Sequence, residues 1–294
     1  MRGTLHLIPA SDLPVYVAAR KTTLVVKRDW LSPEIGVQER ERIVHAIREA
    51  LDGQILTRER LADEVVKRLS VSTSVRKHML SGWGNLLQPA AEQGYLCFGP
   101  SKGSKVTFVR PDQWIGKWNE PSGGDAWKML LRRFFSTYGP ANHHDIDHWW
   151  GLHPDKAKVL MDYIRDELEE VEFEGQKRWV RREDVERIGD VAMARSVKLL
   201  PSWDCYPMLY HPRELFVAQN YRATIFTRLQ GNKPVLLIDG VAGGVWEQRR
   251  NGGHIELRVH PFSHLNSAQK QLVKEEAASL GEFLGTNVDA VILS

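Results

Sequence analysis

Two cysteines in 294 residues, Cys97 and Cys205, are too few and too far apart for a disulfide framework or a metal knuckle. No apolar run approaches the ~20 residues that cross a bilayer, so no membrane span is expected. The N-terminus has no basic segment followed by an apolar block, so no secretory leader is expected and the chain reads as cytoplasmic. Phosphate-loop, dinucleotide-glycine and Ser/His/Asp nucleophile motifs are all lacking, which leaves no cofactor to expect. A large charge excess is lacking too. Lys and Arg total 40 against 37 Asp and Glu, a net charge of +3. Affinity for nucleic acid would have to come from clustered cations rather than from the total.

What is present is a soluble globular composition, 42% apolar and 26% charged, long enough for two or three compact units. Ten tryptophans are unusual and read mainly as core and inter-domain anchors. Residues 2–8 alternate as a strand, with Leu5 and Leu7 on one side and Thr4, His6 and Ile8 on the other. Nothing upstream supplies a ladder partner, so an exposed edge is expected there. Ser11-Asp12 reads as the cap of a short helix to about Ala19, and Asp29–Gly36 as a loop.

Three helices and a hairpin follow. Glu39–Leu51 carries Ile43, Val44, Ile47 and Leu51 on one face, and Thr57 caps a helix bearing Leu61, Val65 and Leu69. A third helix runs from Ser72 to about Gln93, with a break at Pro89. Strands Tyr95–Phe98 and Lys105–Val109 flank Gly-Pro-Ser-Lys-Gly. This is the order of a winged helix-turn-helix. The form repeats in a helix over Ala126–Tyr138, an Asn142-capped helix to Trp150, an Asp155-capped helix, and a hairpin over Val171–Val180 turning at Glu174-Gly175. Charged residues from Glu183 to Lys198 connect this to a β-rich end. There, strands Pro234–Asp239, Val241–Arg250 and His254–Val259 include a hairpin turning at Asn251-Gly252. A helix from Asn266 or Ser267 to Gly285 and a strand Val288–Leu293 complete the chain. The fold class expected is α+β: tandem winged helix-turn-helix modules, then a C-terminal β-barrel-like domain with one covering helix. The boundaries are 1–36, 37–120, 121–185 and 186–294.

Cations cluster where such modules meet a duplex. Lys102 and Lys105 flank the first wing tip with Arg110 behind, and Arg76, Lys77 and His78 lie near the start of the third helix. Solvated surface lysines are the plain alternative. Arg249, Arg250 and His254 stand at the Asn251-Gly252 hairpin, suited to entering a groove or, equally, to guarding a sheet edge against aggregation. His144 and His148 are one helical turn apart, but no third ligand completes a metal site. Asn142, Asp145 and Asp147 instead suit a helix start, so no metal is expected. Asp204 is a candidate general base, although such a residue more often fixes a turn.

Four ordered segments resemble the winged-helix DNA glycosylases of the AlkZ/YcaQ type. They are Arg2-Gly3-Thr4-Leu5-His6 with Pro9-Ala10-x-Asp12-Leu13, then Tyr138-Gly139-Pro140-Ala141 through Asp145 to Trp149-Trp150-Gly151-Leu152. Leu199-Leu200-Pro201-x-x-Asp204 and Asp239-Gly240-x-x-Gly243-x-Val245-Trp246 follow. The resemblance spans nearly the whole chain. It implies double-stranded DNA, alkylated or crosslinked, as partner, and hydrolysis of the N-glycosidic bond of an N7-linked purine as chemistry. It adds Arg2, Thr4 and His6 to the candidate DNA contacts. It also places catalysis in a Gln-x-Gln motif upstream of the Arg-Gly-Thr segment, so residues 1–36 read as the last strand of a first winged helix plus a short helix and loop. The one Gln-x-Gln here, Gln269-Lys270-Gln271, stands in the C-terminal helix and is given no catalytic role. Impaired catalysis is therefore expected, with a non-catalytic DNA-binding or transcription-regulatory protein as the alternative.

Overall fold

The computed structural model describes residues 4–23, 35–69, 73–81, 86–189, 195–209, 212–227 and 231–293. It divides into two compact units, residues 1–185 and 186–294.

The described part of the first unit does not begin with a strand, and Arg2 and Gly3 of the expected one lie outside the described residues. Residues 4–9 pair with no strand among the described residues, and Leu5 and Leu7 are fully solvated. An alternating pattern without a ladder partner gains no backbone hydrogen bonds, which corrects the expected opening strand. Helix α1 (Leu13–Thr22) follows a single 3-10 turn. Next come α2 (Val37–Ala50), β1 (Leu56–Thr57), α3 (Arg58–Leu69), α4 (Thr73–Leu80), α5 (Leu87–Glu92), β2 (Cys97–Phe98), β3 (Thr107–Val109) and the short α6 (Pro111–Trp114). The apolar faces of α2 and α3 meet as expected: Ile43, Ile47, Leu51, Leu61 and Val65 form one core with Met79 and Phe108. The expected third helix is instead two, because α4 ends at Leu80 and α5 begins at Leu87. Pro89 does not break the second of these. It occupies the first turn, where its missing N–H has no intrahelical acceptor to lose. β1 was not legible in the sequence. Only two residues long, it pairs with β3 (Leu56↔Phe108) in a small antiparallel sheet of order β1-β3-β2.

The rest of this unit comprises α7 (Gly123–Tyr138), α8 (His143–Trp150), α9 (Pro154–Met161), β4 (Leu168–Phe173) and β5 (Gln176–Arg181). Ser122 caps α7 through Asp125 N. Asn142 caps α8 in a reciprocal box with Asp145, as its position in the sequence suggested. The cap of α9 is His153, two residues before the expected Asp155, because Pro154 with its fixed φ fills the first helical position. Tryptophans are the core here. Trp127 and Trp150 are buried with ring centroids 4.6 Å apart, and their indole N–H groups donate to Thr22 and Thr23 at the end of α1. Arg178 of β5 reaches back to Asp145 of α8 at 2.8 Å, and both are buried. Helix α10 (Val185–Gly189) follows in sequence.

The second unit is a mixed α+β half-barrel. It contains β6 (Val197–Leu200), α11 (Cys205–Leu209), α12 (Arg222–Ile225), β7 (Phe226–Thr227), β8 (Gly231–Asn232), β9 (Val235–Ile238), β10 (Val241–Asn251), β11 (His254–Pro261), α13 (Ser267–Leu284) and β12 (Asn287–Ile292). The main sheet has order β12-β11-β10-β9-β6, antiparallel except where β12 runs parallel to β11. Five strands laid flat would separate the two edges by about 19 Å at ~4.8 Å per strand. Helix α13, about 10 Å across, nevertheless packs on both edge strands, β6 and β12. The sheet must therefore curl around it, enclosing Trp246, Ile255, Leu257, Val259, Val273 and Ala277. No helix among the described residues is long and apolar enough to cross a membrane.

Candidate nucleic-acid interface

In the first unit, the candidate cations fall on one hairpin and one helix. Lys102 and Lys105 close the tip of the hairpin through paired backbone hydrogen bonds, Lys102 N to Lys105 O and the reverse, around Gly103 at φ +63°. Both lysines are exposed, as is Lys77 on α4. Two of these cations are partnered by carboxylates on α3. Arg76 Nε lies 2.7 Å from Asp63 Oδ1, and Lys105 Nζ lies 3.4 Å from Glu59 Oε1. Glu59 and Asp63 are four residues apart and so share one face of α3. A backbone N–H in its own turn, then the Thr57 hydroxyl, then Lys105 hold the Glu59 carboxyl below the usual range. Lys77 and Lys102 have no ion pair among the described residues. Arg110 is withdrawn from the surface: its largely buried guanidinium binds Asp112 at 2.5 Å and Asp52 at 2.6 Å. Sequence reasoning missed the carboxylates of α3. The i, i+4 spacing of Glu59 and Asp63 was the available signal, but it points to a solvated face unless the partners across the fold are known.

At the N-terminus, Thr4 Oγ1 and His6 Nε2 lie 3.0 Å apart on exposed chain, while Arg2 falls outside the described residues. In the second unit, the hairpin cations are more compensated than the sequence suggested. The register sets Arg249 opposite Glu256 and Glu247 opposite Arg258. Arg258 in turn binds Glu256 at 2.5 Å and is the main cause holding that carboxyl low. His254 faces Asp289 of β12 at 3.3 Å. Arg250 is exposed, with no ion pair among the described residues. β9 pairs with β10 only as far as Val245, so among the described residues the half of β10 that carries Arg249 and Arg250 has no ladder partner on that side. Alternating charges on that half suit edge protection as well as contact with DNA.

Asp204 sits at the start of α11, where its Oδ1 accepts from Tyr206 N at 2.8 Å. Its neighbour Cys205 is exposed, but burial and then the Asp204 charge push the thiol above its usual range. Burial alone pushes Cys97 up to about 11. Thiolate is the reacting form, so neither cysteine is activated at neutral pH. Replacing Asp204 with Asn keeps a capping oxygen and removes the charge. Iodoacetamide labelling of Cys205 at pH 8 is then expected to accelerate about two- to threefold, with Cys97 unchanged. A rate that did not move would mean that the Asp204 charge does not reach the thiol. The His143 and His144 rings lie 4.1 Å apart, tilted by 37°, and burial followed by the neighbouring His144 lowers the His143 pKa. Among the described residues, no three His, Cys, Asp or Glu side chains converge on a point that could hold a metal ion.

A family model described as DNA glycosylase AlkZ-like matches residues 1–283. An interstrand DNA cross-link repair glycosylase of Streptomyces sahachiroi is 31% identical over 302 residues, covering 98% of this chain and 78% of that protein. The solved structure of Streptomyces sahachiroi DNA glycosylase AlkZ matches with a TM-score of 0.85 at 29% identity, over 100% of this chain and 80% of that one. The four segments that carried the resemblance in the sequence all lie inside the matched span. The agreement covers both units rather than one shared module, and the chain belongs to the DNA glycosylase AlkZ-like family.

Proposed function

We propose that this protein is a DNA glycosylase that hydrolyses the N-glycosidic bond of alkylated purines in duplex DNA, including N7-linked guanine crosslinks. The observation that carries this reading is the match, across 98% of the chain, to a relative named for interstrand cross-link repair. The chemistry asks little of the protein. A purine alkylated at N7 already bears positive charge, so the leaving group is activated. The protein has only to place a water at the sugar carbon and stabilise the developing oxocarbenium charge. Residues 37–120 and 121–185 act as two winged-helix modules that grip phosphates through Lys77, Lys102, Arg76 and Lys105, with Arg250 contributing from the half-barrel. The order of helices and strands, with the small β1-β3-β2 sheet beside α3 and α4, supports that assignment.

The Gln269-Lys270-Gln271 sequence has a structural explanation. Gln269 Oε1 accepts from Asn266 N to cap α13, and Gln271 donates to Glu275 one turn on. It takes no part in the proposed reaction.

Incubating the protein with a duplex carrying a single N7-alkylguanine tests the proposal. Abasic sites, revealed by strand cleavage in hot alkali, should accumulate at the lesion faster than by spontaneous depurination. Binding of the same duplex should weaken as salt rises. Salt-dependent binding with no abasic product would replace this reading with that of a non-catalytic DNA-binding protein.

A further inference from the structure

Among the described residues, three that are not glycine have positive φ: Glu174, Trp203 and Asp239. Two have a ready explanation. Glu174-Gly175 joins β4 to β5 and Asp239-Gly240 joins β9 to β10, two-residue hairpin turns in which both residues take positive φ. Trp203, at φ +66°, is the third residue of a turn over Pro201–Asp204 closed by Asp204 N to Pro201 O, a position that Gly or Asn usually fills. A bulky side chain in the left-handed region is a strained arrangement that persists only where its surroundings impose it.

The surroundings do impose it. Asn232 of β8, which is 1% exposed, accepts the Trp203 backbone N–H on Oδ1 at 3.0 Å, and its own amide donates to Lys233 O. The six-membered ring of Trp203 lies against Gly231, where a Cβ would stand only 2.6 Å from Cζ3 and Cη2. A larger residue at position 231 would displace the ring. Yet the indole is 62% exposed, so burial of the side chain does not offset the strain. A buried amide and a left-handed backbone are both used to hold an aromatic ring out in water.

We infer that Trp203 is a stacking platform for an unstacked DNA base, an inference that rests on the proposed action on DNA. Charge around the ring matches that occupant. Lys233 is exposed next to Asn232, and the exposed Arg213 lies 4.2 Å over Phe226, which pairs with Asn232 across the β7–β8 ladder. Exposed cations on the elements that hold the ring, Lys233 after β8 and Arg213 over Phe226 of β7, suit a base with its flanking phosphates. Of the acids on these segments, Asp204 is engaged in capping α11 and Glu214, next to Arg213, pairs with Arg222. A patch for an apolar protein partner would instead join several apolar side chains. The residues adjoining Trp203 or the strand that holds it are Gly231, the polar Asn232 and the charged Asp204 and Lys233.

The test compares a duplex bearing one unpaired, bulged nucleotide with its fully paired counterpart, using the full chain and fluorescence anisotropy across a salt series. Trp203→Ala is expected to weaken binding of the bulged duplex about tenfold and of the paired duplex by less than about twofold. The salt slope should be unchanged, because stacking releases no counterions. Trp203→Phe keeps an aromatic plane and should retain most of the affinity. Equal losses on both duplexes, no loss on the bulged one, or a flatter salt slope would each overturn the stacking role. If the unaltered protein bound the paired duplex and Trp203→Ala made no difference on the bulge, only this inference would fall. If the unaltered protein bound neither duplex, the proposed action on DNA would fall with it.

Discussion

Replacing Arg178 with methionine is expected to destabilise the first unit by about 3–5 kcal/mol, the usual cost of stranding one partner of a buried ion pair. For a unit of this size that corresponds to a fall of roughly 10 °C in its melting transition. The expectation comes from how much depends on one carboxylate. Asp145 Oδ2 accepts both from Arg178 at 2.8 Å and from the Asn142 backbone N–H at 2.8 Å, so the same oxygen closes the cap of α8 and ties α8 to β5. Arg178 also donates to Pro140 O and lies 5.6 Å over the Phe173 ring. Methionine keeps much of the packing but leaves the buried Asp145 charge without its counter-charge. Asp145→Asn should cost a similar amount for the opposite reason. The amide still caps, but the guanidinium loses its counter-charge. Removing both charges should cost less than the sum of the two single changes, because neither is then left uncompensated. Thermal melting of the two single variants and the double variant measures that coupling. Additive costs would mean that the pair does not act as a unit.

This pair also marks how far the sequence could be read. Asn142 and Asp145 were legible as a helix start, since an Asn followed three residues later by an acid satisfies orphan N–H groups locally. The hairpin β10–β11 and helix α13 were legible for the same kind of reason. Asn251-Gly252 dictates a tight turn, while Asn266 and Gly285 bracket the helix, as capping residue and left-handed stop respectively. What lay beyond reach was every feature decided by a partner distant in sequence. Arg178 looked like one more charged hairpin residue until β5 was seen to lie beside α8. β1 and β6 are too short to show a period and exist because β3 and β9 offer them ladders. Residues 4–8 show the converse, a clear alternating pattern with no ladder to join. The strained backbone of Trp203 had no signal at all in residue types, because Asn232, which holds it, is 29 residues away.

The candidate DNA surface has the same dependence on distant partners, and it yields the second large expected effect. The double substitution Glu59→Gln with Asp63→Asn should tighten binding to duplex DNA. Arg76, partly exposed, and Lys105, exposed, face DNA under the proposed function, but each spends its charge on a carboxylate of α3. For phosphates to reach them, those contacts must be exchanged, which removes part of the gain from counterion release. Freeing two cations adds up to two phosphate contacts, and each contributes about 0.9 to the slope of log affinity against log salt. The slope should therefore steepen by up to roughly 1.8. Affinity at 0.1 M salt should rise by roughly 10- to 60-fold, with the difference vanishing as salt approaches 1 M. Folding stability should change by less than about 1 kcal/mol, because exposed ion pairs contribute little to it. Lys77→Gln and Lys102→Gln, acting on cations with no carboxylate partner among the described residues, should each flatten the slope by about 0.9 and weaken binding to all sequences alike. Tighter binding with an unchanged slope would mean that the carboxylates act by general repulsion. No tightening at all would place the DNA elsewhere on the first unit, away from α3, α4 and the β2–β3 hairpin.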